Sequence, residues 1–389
     1  MNEIPREQQL PLLKALSVRG FHLNFESYQL IGVEEAVRLM EVAASNRMNV
    51  VLVEYGPRFP FQAHSYLRAE NALSIAEVER LNSEAERLGL EVIPLQQTIA
   101  HLEYVLRQHH HVGLRERAER DNLLCPTNPD AMPLMKSLVN EVLARHPNAT
   151  RFHLGGDEAR KIGFCPRCTS RRQQSGIGEI YGRHMGELGR MLLDGGRRPI
   201  IWDDTPCAFP SALDHLPKET IINYWDYIVV ADPTPVLIPR MAHIDGAPRV
   251  VHDWRWMLPG RRKALSDVQR GVMKHYSHAS RLPGVLGQRY MGEFGCYLGD
   301  AFPRWVRALP YLEYYQDRGF DVITSPTAMG NGDMVDGRPN IARFEANITT
   351  HAKRCKENGR ALGMITTAWY NMPPEMLVDR LILSARSTL

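Results

Sequence analysis

Eight short apolar runs, most of them separated by enough chain for a helix, constrain this sequence more than any other feature. They are SVRGFHLNF (17–25), MNVVLVEY (48–55), LEVIPLQQT (90–98), TRFHLGG (150–156), RPIIWDD (198–204), TIINYWDY (220–227), GFDVITS (319–325) and LGMITTAW (362–369). The second is continuous and β-branched, as suits a strand buried on both faces. Between the runs, SIAEVERLNSEAERLG (74–89) places Ile75, Val78, Leu81, Ala85 and Leu88 at helical spacing. Ser74 with Glu77 reads as a capping box and Gly89 as a stop. NPDAMPLMKSLVNEVLARHP (128–147) opens with Asn then Pro, a helix start. Alternating βα units in this number predict an α/β fold, a closed (β/α)8 TIM barrel, as one domain over residues 1–389. A doubly wound open sheet is the alternative, but no G-x-G-x-x-G follows the first strand. About ninety residues separate Tyr227 from Gly319, too many for one crossover helix, so an insertion is expected at about 228–318, after strand six.

Composition narrows the classes of function. The 389 residues carry a formal net charge of +3 with no block of like charge, so no nucleic-acid footprint is expected. The first residues lack a basic segment followed by an apolar one, and no 18-residue apolar run occurs; neither a signal peptide nor a membrane span is expected. Six scattered cysteines make no disulfide framework, and the simplest home is a reducing cytoplasm.

A barrel keeps its chemistry at the C-terminal ends of its strands. Carboxylates and aromatic rings gather there: Glu54 and Tyr55; Gln97, then His101 and Glu103; Asp157 and Glu158; Trp202, Asp203 and Asp204; Trp225, Asp226 and Tyr227; Ser325; Trp369, Tyr370 and Asn371. This mixture suits a carbohydrate, whose CH faces stack on rings and whose hydroxyls bond to acids. Asp157 and Glu158 are adjacent and would point opposite ways on an ideal strand. Gly155 and Gly156 let the backbone depart from that geometry, turn both acids to the mouth and clear space for a ligand. Two carboxylates with different partners can serve as an acid and an ionised stabiliser, the pairing glycoside cleavage uses. The competing reading makes the pair an N-cap for EARKIG.

FHLGGDE (152–158) resembles the His-x-Gly-Gly-Asp-Glu signature of family 20 glycoside hydrolases, the β-N-acetylhexosaminidases. The resemblance runs from about residue 17 to 371 and is closest to the short cytosolic, hexosaminidase D-like branch. VRGFHLNF is similar to the family's first strand, whose sugar-binding arginine falls on Arg19; GLEVIPLQQTIAHLEYVLR is similar to the third strand, with the loop histidine at His101. PIIWDD, NYWDY and TTAWYN resemble strands five, six and eight, with pocket tryptophans at Trp202, Trp225 and Trp369. The resemblance implies exo-acting removal of terminal β-linked N-acetylhexosamine from a small carbohydrate or glycoconjugate, without metal or cofactor. It implies a retaining mechanism in which the substrate's 2-acetamido oxygen attacks the anomeric carbon. Asp157 would orient that amide, and Glu158 would act as acid and then base.

Three places depart from the family pattern. Gln97 stands where an aspartate usually pairs with the loop histidine, which leaves His101 without that partner and neutral. Trp369-Tyr370-Asn371 replaces Trp-x-Glu, putting Asn371 at the place that reads the outer hydroxyls. No tyrosine follows strand seven, so Tyr227 or Tyr370 would bond the acetamido oxygen. A non-hydrolytic sugar-binding barrel is the alternative function, and a zinc-dependent barrel hydrolase a third. CPRC (165–168) is half a zinc motif that Cys125, Cys207 or a histidine could complete only in space; without a second pair it reads as a loop. His153 reads as a hydrogen-bonded core residue supporting the acids.

Overall fold

A computed structural model describes residues 15–26, 31–159, 161–227, 293, 311–329, 334–335, 338–339, 341–369 and 374–389. Each apolar run forms a strand: β1 (Val18–Asn24), β2 (Val50–Glu54), β3 (Glu91–Leu95), β4 (Arg151–His153), β5 (Arg198–Trp202), β6 (Ile221–Trp225), β7 (Asp321–Ser325) and β8 (Gly363–Ala368). They pair in parallel in chain order, and β8 pairs with β1 to close the barrel. Among the described residues the helices of seven residues or more are α1 (Val33–Ser45), α2 (Ile75–Arg87), α3 (Ala131–Ala144), α4 (Pro166–Asp194), α5 (Tyr311–Asp317), α6 (Ile341–Asn358) and α7 (Pro374–Thr388). The expected insertion at 228–318 lies outside the described residues except for Glu293 and α5 with the residue after it.

Local chemistry explains most boundaries. Ser74 Oγ accepts from Glu77 N while the Glu77 carboxylate accepts from Ser74 N, the reciprocal cap expected for α2, and Gly89 takes a positive φ of 70° beyond its end. α3 begins two residues later than Asn-Pro suggested, with Asp130 rather than Asn128 at its N-cap position, because Asn128 uses its side chain to accept from Asp130 N and so forms a turn. CPRC is not a plain loop: Cys165 caps α4 and accepts from Cys168 N, while Pro166 opens the helix.

The strands bury both faces, and alternation sorts each residue to one side. Val18, Leu52, Ile93, Ile200, Trp202, Ile221, Ile323 and Ile365 fill the barrel interior. Phe21, Leu23, Val51, Val53, Ile201, Ile222 and Val322 face the helices. Following the interior parity to the strand ends places His22, Glu54, Gln97, His153, Trp202, Trp225 and Trp369 at one mouth.

Closure leaves little room at its seam. Val18 pairs with Gly363, whose φ is 150°, and a Cβ there would stand 1.9 Å from the Val18 carbonyl oxygen. Gly363→Ala should therefore cost about 3 kcal/mol, at the upper end of what overpacking exacts, since the obstructing atom is backbone. Urea unfolding measures this, and a midpoint equal to that of the parent would contradict the account of the seam.

Candidate active site

The loop after β4 is built from left-handed residues. Gly155, Gly156 and Glu158 have φ of 67°, 94° and 55°. This turn brings both acids onto His101, whose Nε2 lies 3.3 Å from Asp157 Oδ2 and 3.7 Å from Glu158 Oε2. Among the described residues no helix starts at the acids, so the N-cap reading fails. The glycines do not clear space for a ligand, as the sequence suggested. A Cβ on Gly155 would lie 1.9 Å from Gln97 Oε1, and one on Gly156 would lie 2.5 Å from the Tyr181 hydroxyl. The space belongs to protein groups. Gln97 Nε2 donates to Asp157 Oδ1 (3.3 Å) and Glu54 Oε1 (3.2 Å), and its Oε1 accepts from Gly156 N.

Other side chains hold the loop's backbone. Tyr181 donates to Gly156 O, His153 Nδ1 accepts from Gly155 N, Asp204 Oδ2 accepts from Glu158 N, and Thr205 Oγ1 accepts from Ala159 N. His153 is fully buried, and burial pushes it down to about 3, so it acts as a neutral acceptor, as expected of a core histidine beneath the acids.

The charges have a definite order. Asp157 beside His101 pushes the imidazole up to about 11, so it is a cation at neutral pH. The neutral His101 expected from Gln97 is thus corrected: the missing aspartate is replaced by Asp157 itself. Burial works to raise Asp157, but His101 and the hydrogen bonds to its carboxylate outweigh it and hold the acid below its usual range. The Asp157 side chain is 13% exposed and that of Glu158 is 56% exposed, so one acid is sunk in the site and the other stands at its edge. Beneath them, His22 Nε2 lies 3.3 Å from Glu54 Oε2. Glu26 is raised well above the usual range, first by burial and then by Glu54.

The aromatic residues form one connected wall. His153 and Trp202 are 4.4 Å apart, Trp202 and Trp369 6.1 Å, His22 and Trp369 4.9 Å, and Trp225 and Tyr227 4.8 Å, between ring centroids. Trp369 Nε1 donates to the Tyr227 hydroxyl at 2.7 Å. Trp225, Tyr227 and Trp369 are half-buried, whereas Trp202 is only 1% exposed and forms the floor behind Trp369. Arg19 is not here. It has the outward parity, sits at the N-terminal end of β1, and donates to the carbonyls of Leu16 and Arg47. Asn371 and Tyr370 lie outside the described residues.

Sequence reasoning missed His22 and Glu26. Strand alternation carries the signal for His22, which shares parity with Val18 four residues before it. For Glu26 no local signal exists, because its contact with Glu54 depends on how the chain leaves β1.

Comparison with known proteins agrees with this architecture. Residues 24–234, more than half of the chain, match the model of the glycosyl hydrolase family 20 catalytic domain. Hexosaminidase D of Bos taurus is 38% identical over 187 residues, which cover 46% of this chain and 54% of that protein. Hexosaminidase D of Homo sapiens is 32% identical over 194 residues, covering 47% of this chain and 40% of that protein. The chain thus spans about half the length of the curated relatives it matches. A β-N-acetylhexosaminidase structure from Bacteroides fragilis superposes with a TM-score of 0.59 at 16% identity, over 96% of this chain and 65% of that one, and so shares the fold. With the family match covering most of the barrel, this chain belongs to glycosyl hydrolase family 20.

Proposed function

We propose that this chain is an exo-acting β-N-acetylhexosaminidase that works by substrate-assisted, retaining catalysis. The carrying observation is the convergence of Asp157 and Glu158 on one imidazolium, one acid sunk and ionised and the other at the edge. Asp157 accepts the acetamide N–H of the bound sugar, which raises the electron density on the amide oxygen. That oxygen attacks the anomeric carbon as the bond to the aglycone breaks, and Glu158 gives its proton to the departing oxygen. Glu158 then takes a proton from water, which opens the oxazolinium and restores the acetamide. The Asp157 carboxylate offsets the oxazolinium charge throughout. Trp225, Tyr227 and Trp369 stack on the sugar, and Tyr227 donates to the acetamido oxygen, with Trp202 as their support. His101 and Gln97 position Asp157 and do not touch the reacting bond.

The test of the assignment is release of nitrophenol from nitrophenyl β-N-acetylglucosaminide or β-N-acetylgalactosaminide. Glu158→Gln should lower kcat by about 10²–10⁴-fold on substrates with poor leaving groups and less on activated aryl glycosides. Equal losses across a leaving-group series would mean that Glu158 is not the acid, and no turnover by the parent on either substrate would favour a sugar-binding barrel.

Asp157→Asn should reduce kcat about 10²–10³-fold, the scale of one preorganised electrostatic contact. With the parent enzyme, rates should fall steeply along acetyl, monofluoroacetyl, difluoroacetyl and trifluoroacetyl substrates. A flat series, with bond cleavage shown to be rate-limiting, would reject attack by the amide.

His101→Asn removes the cation that holds Asp157 low, while burial continues to push it up. Asp157 then protonates at higher pH, and the acid limb of kcat/KM moves up the pH scale. The alkaline limb of the parent should show no break near the ordinary histidine range, since His101 keeps its proton to about 11. A pH–rate profile whose acid limb is unmoved in the variant would detach His101 from Asp157.

A further inference from the structure

Away from the acids, the fold assembles four groups that are distant in sequence. Cys125 follows the hairpin strand Arg120–Leu124, Glu116 lies on its partner strand Arg115–Arg117, and Cys165 and Cys168 open α4. All four are buried, from 0% to 9% exposed, and their ligating atoms lie within 4.8 Å of one another. Cys125 Sγ is 3.3 Å from Cys165 Sγ and 3.5 Å from Cys168 Sγ; Cys168 Sγ is 3.3 Å from Glu116 Oε2.

We propose that Glu116, Cys125, Cys165 and Cys168 form a structural zinc site that clamps the hairpin after β3 to the start of α4. Three of the six spacings fit directly, since ligands at 2.0–2.3 Å around a tetrahedral ion stand roughly 3.3–3.8 Å apart, and the remaining pairs lie within 4.8 Å. The chemistry fits as well. Three sulfurs select a soft or borderline cation, and a carboxylate facing them in the interior requires positive charge. The carboxylate is aimed, since Glu116 Oε1 accepts from Phe164 N (2.6 Å) and Cys165 N (2.8 Å), which turns Oε2 toward the sulfurs. Cys165 Sγ accepts from Cys168 N, an N–H···S bond that fixes the two-residue spacer around the ion. Such outer hydrogen bonds orient ligands in metal sites. Four protein ligands close the coordination sphere, so the ion holds structure and takes no substrate.

The clamp's location gives it a purpose. The hairpin belongs to the loop that carries His101, and Cys165 follows Glu158 by seven residues on the loop that carries both acids. The same two loops meet at the 3.3 Å His101–Asp157 contact. The zinc would join them a second time, on the far side of the hairpin.

The test uses the full chain, purified under reducing conditions from zinc-supplemented cultures and dialysed against metal-free buffer. Elemental analysis should find about one zinc per chain, and Co(II) exchanged into the protein should show the visible bands of a tetrahedral ion with thiolate charge transfer in the near ultraviolet. Cys125→Ser and Cys168→Ser should lose the metal, Glu116→Gln should bind Co(II) more weakly with shifted bands, and Cys355→Ser should keep it. Stripping the zinc from the parent should lower Tm by several degrees, because a structural ion adds its binding free energy to that of folding. If the serine variants fail to fold, the cobalt spectrum of the parent decides alone. Less than a tenth of an equivalent of zinc with no cobalt bands, or a Cys125–Cys165 disulfide in protein kept anaerobic, would overturn the proposal.

Discussion

Closure of the barrel is the constraint on which everything else here rests. Once β8 pairs with β1, each strand residue either enters the packed interior or faces a helix. Lower in the barrel the inward positions are mostly Val, Leu and Ile, with Gly20 making room for Val50 and Ile365. At the upper rim the same parity presents His22, Glu54, Gln97, Trp225 and Trp369. The site is the top layer of the core, where the inward positions turn polar and meet the loops that carry His101 and the two acids.

That position makes its electrostatics consequential. A carboxylate sunk beside other carboxylates would be driven toward its neutral form, as Glu26 is by burial and Glu54. Asp157 escapes because His101 contributes a cation at 3.3 Å and Gln97 a hydrogen bond. Gln97 also reaches Glu54, so one amide links the strand-two carboxylate, the strand-three rim and the acid loop. The left-handed backbone at Glu158 is a strained conformation for a non-glycine residue, costing about 1–3 kcal/mol. Asp204, Thr205 and Tyr181 over-determine it with bonds to the loop backbone. Strain held in this way preorganises the two carboxylates, which is the property their proposed chemistry needs.

Long loops also need anchors, because outside the Arg115–Leu124 hairpin their backbone has no ladder of its own. The loop after β3 is tied to the loop after β4 by His101 at the mouth and, at its outer edge, by the packed cysteines. Between these points, Thr98 Oγ1 donates to Leu154 O and His184 from α4 bonds Thr98 O. The two loops are joined at several points, so the acids and the histidine do not depend on a single contact.

The sequence by itself determined the number, order and approximate limits of the eight strands, the capped helix α2 and the location of Asp157 and Glu158. Those features are local: apolar runs, a Ser-to-Glu cap and a Gly-Gly break each act within a few residues. Tertiary structure decided what depends on groups far apart in the chain. Arg19 lies in a strand that was correctly expected, yet its parity and its place at the strand's start send it to the opposite end of the barrel. Gly155 makes way for Gln97, 58 positions earlier in the sequence, a fit that no pattern within either segment encodes. The charge of His101 comes from Asp157, and the place of Cys125 beside Cys165 and Cys168 comes from a hairpin folding back on α4. In each case the physical cause is the same: side-chain direction, charge state and clustering are set by which neighbours the closed barrel brings into contact.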